Sequence, residues 1–69
     1  MKTIYTDNGV SNDLIEEVKE ALKEFDIVEV SFDVTGRTMH QLLSRQLADK
    51  MPEYDFEIDY NYVCLVKNK

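Results

Sequence analysis

Residues Thr35-Gly36-Arg37-Thr38 gather two hydroxyls, a guanidinium and a glycine where an alternating stretch passes into an amphipathic one. An anion site uses these groups: a glycine for close backbone approach, a guanidinium for charge-assisted bonds, and the free N–H groups of a helix N-terminus. Arg45 and Lys50 follow in the same segment and extend the footprint toward a phosphate ligand or a nucleic acid. The motif lacks the lysine and repeated glycines of a phosphate-binding P-loop. A strand-to-helix turn also explains most of it. Gly36 permits positive φ, and Thr38 with Gln41 fits a capping box that starts a helix near Met39. Arg37 is the residue that geometry alone does not require.

His40 is the single histidine and Cys64 the single cysteine. A general base needs an orienting acid and a pocket, and the sequence places neither near His40, which the helical register puts on the polar side as an exposed residue. Cys64 lies in the apolar run Tyr62–Val66 and reads as a small buried hydrophobe without a base to activate it. One cysteine excludes an internal disulfide, and no cysteine–histidine cluster offers a metal cage. The expectation is a non-enzymatic protein without cofactor or metal, in a reducing, cytoplasmic setting and away from membranes.

The abundant chemistry is acidic, with a formal net charge of −6. Glu16, Glu17, Glu20 and Glu24 share a helical face, while Glu29, Asp33, Glu57 and Asp59 fall at alternate positions of strand-like segments. The helix acids can be an ordinary solvated face with Glu16–Lys19 and Glu20–Lys23 pairs, or a phosphate-like surface that mimics nucleic acid toward a basic protein. Glu29, Ser31 and Asp33 beside Glu57 and Asp59 would be a sharper signal if their strands are neighbours, because like charges side by side repel. Positive charge collects in residues 34–51, where Arg37, Arg45 and Lys50 face Asp49 alone. The field should be dipolar.

The elements that position these groups follow from periodicity. Sixty-nine residues support one domain with one core. Thr3–Thr6 is β-prone and ends in the turn-forming Asp7-Asn8-Gly9. Ser11 can cap a helix, with Val10 stapled on Ile15, and Leu14, Ile15, Val18, Ala21, Leu22 and Phe25 give it one apolar face. Val28, Val30, Phe32 and Val34 alternate with Glu29, Ser31 and Asp33, which predicts a strand with one covered and one polar side. Met39, Leu42, Leu43, Leu47, Ala48 and Met51 predict a second helix stopped by Pro52. Residues 54–66 read as one long strand, with a hairpin at Asp59-Tyr60-Asn61 as the alternative. Tyr54, Tyr60 and Tyr62 are candidate anchors on the open sheet face.

These patterns give a small two-layer α/β or α+β sandwich of order β-α-β-α-β, with both helices on one face of a three- to four-stranded sheet. The leading expectation is a small acidic interaction or regulatory protein that binds a basic protein partner, with nucleic-acid mimicry as one route. The second is a phosphate or nucleic-acid module built on Thr35–Thr38. A homodimer through an edge strand or the open sheet face is a further option.

Overall fold

A computed structural model describes residues 1–69 and follows the order β1 (Lys2–Thr6), α1 (Asn12–Ala21), β2 (Ile27–Phe32), α2 (Arg37–Lys50), β3 (Asp55–Asp59), β4 (Val63–Lys67). The four strands form one mixed sheet in the order β1-β2-β4-β3. β1 and β2 are parallel and joined through α1, whereas β4 runs antiparallel to both of its neighbours. Parallel neighbours require a crossover, and α1 is that crossover.

Alternation decides which side is covered. Ile4, Val28, Val30, Phe32, Cys64 and Val66 all point to the helices and are at most 4% exposed. They join Leu14, Val18 and Leu22 of the first helical segment and Leu47 and Met51 of the second in one apolar cluster. The alternate residues Thr3, Glu29, Ser31, Val63 and Leu65 remain partly exposed on the other side. Two helices on one face and an open second face follow from the period of two in the strands.

The start of α1 is as the sequence predicts. Ser11 has extended backbone geometry and its hydroxyl accepts from the Leu14 N–H at 3.1 Å. Gly9 turns the chain just before it at φ 63°, a conformation that glycine adopts without cost. The start of α2 differs from expectation. Gly36, not Thr38, is the N-cap, at φ −125° and ψ 143°, and no side chain caps the helix. Gly36 therefore does not use positive φ, and the Thr38–Gln41 capping box does not form. The helix begins earlier because Thr38 is already within its first turn, and its hydroxyl turns outward to the Tyr60 hydroxyl at 3.3 Å.

The C-terminal segment is a hairpin rather than a single strand. Asp59 pairs with Val63 across the loop Tyr60-Asn61-Tyr62. Such three-residue loops combine a turn with a left-handed residue, usually glycine. Here Tyr62 takes that place at φ 65°, and the Asp59 carboxylate accepts from the Asn61 N–H at 2.8 Å. The Asp59 side chain closes the turn by this bond, while Tyr62 bears the left-handed backbone that a glycine would adopt freely.

Candidate functional site

The eight acids singled out from sequence divide between opposite sides of the sandwich. Glu16, Glu17, Glu20 and Glu24 lie exposed on α1 and just beyond its end. Glu20 pairs with Lys23 at 2.6 Å, and that hydrogen bond raises the lysine pKa. The expected Glu16–Lys19 pair does not form, because Lys19 reaches Glu53 instead at 3.8 Å and ties α1 to the segment after α2. Glu16, Glu17 and Glu24 stay without an ion-pair partner. The outer side of the first helix is thus a ridge of unneutralised carboxylate.

Glu29, Asp33, Glu57 and Asp59 belong to the other side. Thr3, Glu29, Leu65 and Glu57 form one row across the four strands. The strands that carry Glu29 and Glu57 are not neighbours: β4 lies between them and inserts Leu65. The condition for side-by-side acids is therefore not met, and the spacing lets the sheet carry its charge. Glu29 accepts from the Thr3 hydroxyl at 3.2 Å, and Glu57 binds Lys67 at 3.0 Å. Asp33 follows β2 and, with Asp7, Tyr5, Thr6 and Ser31, lines a hollow of about 440 Å³. Its two carboxylates make it a poor anion site.

The Thr35–Thr38 turn is the anion site that the sequence offers as the alternative to a plain strand-to-helix turn. Arg37 stands at the first position of α2 with no carboxylate partner, and its guanidinium carbon lies 5.9 Å from the centre of the Tyr62 ring. The Tyr62 hydroxyl donates to the Thr35 carbonyl at 3.5 Å. Arg45 and Lys50 are exposed farther along the helix and at different angles around it, so the basic residues do not form a cluster. Two tyrosines expected on the open sheet face, Tyr60 and Tyr62, instead clamp the N-terminus of α2, because the hairpin loop bends toward the helices. Tyr54 packs against the core. The tyrosine that does project from the open face is Tyr5, at 80% exposure.

His40 corrects a further expectation. It is 1% exposed, set edge-on between Phe32 and Tyr62 with both ring centroids at 5.4 Å. The Ser44 hydroxyl donates to the His40 carbonyl at 2.7 Å and sits 3.5 Å from its Nδ1, while Nε2 has no partner. Burial pushes the His40 pKa down, opposed by the negative charge of Glu29. Leu47 and Met51 fix the rotation of α2 on the core, and four- and three-residue steps back from them reach Leu43, Ser44 and His40. Met39 and Leu42, assigned to the apolar stripe from sequence, are thereby turned outward.

Cys64 is fully buried and unpaired, and burial raises its pKa to about 11, with the neighbouring Ser44 side chain opposing the rise. Such a thiol stays protonated and is a poor nucleophile. No group of three or more histidine, cysteine or carboxylate side chains converges as metal ligands. No helix is long and apolar enough to cross a membrane. Comparisons with protein-family models, curated proteins and solved structures find no match to this chain.

Proposed function

We propose that this chain is a small non-enzymatic interaction protein whose acidic surface binds a basic protein partner. The observation that carries the reading is the ridge of Glu16, Glu17 and Glu24, exposed on one side and unpaired. Ion-pairing residues are at hand, yet Lys19 is drawn away to Glu53. Carboxylates that remain hydrated and unneutralised attract a basic surface at long range and speed its encounter. A partner that otherwise holds nucleic acid has such a surface, so occupation by the ridge would exclude its phosphate backbone.

Capture from host lysate with the wild-type chain and with Glu16, Glu20 and Glu24 all changed to Lys tests the reading. Basic proteins should be retained by the first and lost by the second, and binding should weaken as salt rises. Labelled DNA added to a captured partner should be displaced by the wild-type chain. An unchanged set of captured proteins after charge reversal would remove the ridge from the interface.

A second reading rests on Arg37, which has no acid partner and adjoins a helix start without a side-chain cap. There the chain would hold a phosphate ligand or a nucleic-acid backbone, with Arg45 and Lys50 extending the contact. Labelled RNA and DNA titrated at low salt should then bind, and Arg37→Ala should reduce the salt slope by about one phosphate contact. Absence of binding at low salt excludes it.

A further inference from the structure

Two surfaces lack an intramolecular partner, and each has what the other lacks. On α2, the rotation of about 100° per residue that seats Leu47 and Met51 in the core puts Leu42 on the opposite side. Leu42 is 50% exposed and Met39, one turn earlier, 49%. Arg45 and Lys50 share this outer side with Asp49, and none of these three forms an ion pair. The exposed apolar pair has Arg45 and Lys50 on its flanks, with Asp49 on the helix and Asp33 across the hollow that Met39 and Leu42 line.

The open sheet face carries the reverse pattern. Val63 and Leu65 stand on β4, with Asp55, Glu57 and Asp59 on β3 to one side and Glu29 on β2 to the other. Lys67, the base on the β4 side of this face, is held by Glu57. Strands about 4.8 Å apart place Glu29, the one acid on the open side of β2, about 10 Å from the acidic column of β3. A helix is about 10–12 Å across with its side chains, so one laid along β4 would meet the apolar centre below and carboxylates on both flanks.

We propose that α2 of one copy of this chain docks on the open sheet face of a second copy. Leu42 and Met39 cover Val63 and Leu65, and Arg45 and Lys50 face Glu29 on one flank and the β3 carboxylates on the other. The chain itself supplies a helix of the required size, polarity and charge. Two sheet faces would oppose carboxylates to carboxylates, and α1 presents an acidic ridge, so neither of those like-copy arrangements has this fit. The contact joins different surfaces on the two copies, so it leaves one of each unfilled and addition continues head to tail. It does not use the α1 ridge and stands apart from the binding reading above.

Sedimentation equilibrium of the full chain up to about 1 mM tests it, since association weaker than that carries no weight in solution. The average mass should rise with concentration, and rise less in high salt as the charged flanks are screened. Leu42→Glu and Leu65→Glu should each be monomeric with a native circular-dichroism spectrum. Mixed in equal amounts they should form a dimer and nothing larger, because each retains the surface that the other has lost. Glu57→Lys, at an exposed position, should weaken association at least fivefold even if Leu65→Glu fails to fold, and the Glu16/Glu20→Lys pair should leave it unchanged. A wild-type chain that stays monomeric throughout, association that survives Leu42→Glu and Glu57→Lys alike, or folded single variants that remain monomeric when mixed would each overturn the proposal.

Discussion

His40 shows how a titratable side chain can serve packing and still leave a signature in solution. Its ring fills space between Phe32 and Tyr62, and its unpartnered Nε2 means that a proton arriving there finds no acceptor. The folded-state pKa lies below 6.5, so the unfolded chain takes up a proton first as pH falls. Stability from this residue is therefore level above about pH 6.5 and declines below it until the folded pKa is reached. A proton NMR titration should place the His40 midpoint below 6.5, and urea midpoints of wild type should drop more steeply between about pH 7 and 5.5 than those of His40→Gln. A midpoint at or above 6.5 would contradict the burial argument. Cys64 has the opposite dependence: its pKa of about 11 against 9.0 makes the folded state lose stability as pH rises through 9. Alkylation of Cys64 by iodoacetamide at pH 8 should be negligible in the native protein and rapid in urea; equal rates would mean the thiol is accessible.

At the scale of elements, the two helices begin in different ways, and the difference is measurable. Ser11 caps α1 through its hydroxyl, so Ser11→Ala should cost about 1 kcal/mol. Thr38 caps nothing, and Thr38→Ala should fall within about 0.5 kcal/mol of wild type by urea denaturation, since its hydroxyl meets only the exposed Tyr60. Comparable losses at both positions would restore Thr38 as a cap. The hairpin loop is held under strain: a tyrosine at φ 65° costs about 1–2 kcal/mol, offset by its packing on His40 and its contacts with Arg37 and Thr35. Tyr62→Ala keeps the strained backbone and removes the packing, so it should destabilise the chain more than Tyr60→Ala, whose ring makes no such stack. Arg37 has a structural contact after all, since its guanidinium lies over the ring of that strained residue.

For the molecule as a whole, the division of charge matters more than its sum. The sandwich places carboxylates on the outer sides of both layers, with α2 as the basic exception between an acidic first helix and an acidic sheet. Burial of the core residues, at about 25 cal/mol per Å² of apolar surface, must hold this arrangement against the repulsion. Leu47 is fully buried at the centre, and Leu47→Ala should cost about 2–5 kcal/mol, enough to unfold much of a chain this small. Added salt should raise the melting temperature of the wild type by screening its excess carboxylates. A melting temperature that falls with salt would indicate that attractive pairs outweigh the repulsion.

The β-α-β-α order up to the last segment, the covered and open sides of the sheet and the cap of α1 were legible because each is a local property. The period of two at Val28–Phe32, the period of 3.6 at Leu14–Leu22 and the hydroxyl at Ser11 need no distant residue to give them meaning. The acids of the ridge and of the sheet could likewise be assigned to their faces. Position along the chain could not reveal which strands are neighbours, so the insertion of Leu65 between Glu29 and Glu57 belongs to the β1-β2-β4-β3 order. The phase of α2 was hidden for a related reason. Apolar residues spread around more than half of that helix, and contact with Phe32, Cys64 and the Tyr62 loop selects His40 and Ser44 for the inside while Met39 and Leu42 turn out. Local hydrogen-bond geometry and polarity act over a few residues, so the first three elements and the inventory of charge could be read from the chain, while the hairpin and the start of the second helix could not. Tertiary structure decided which charges meet, which apolar residues stay exposed and where the lone histidine lies, because those depend on contacts between residues far apart in the chain.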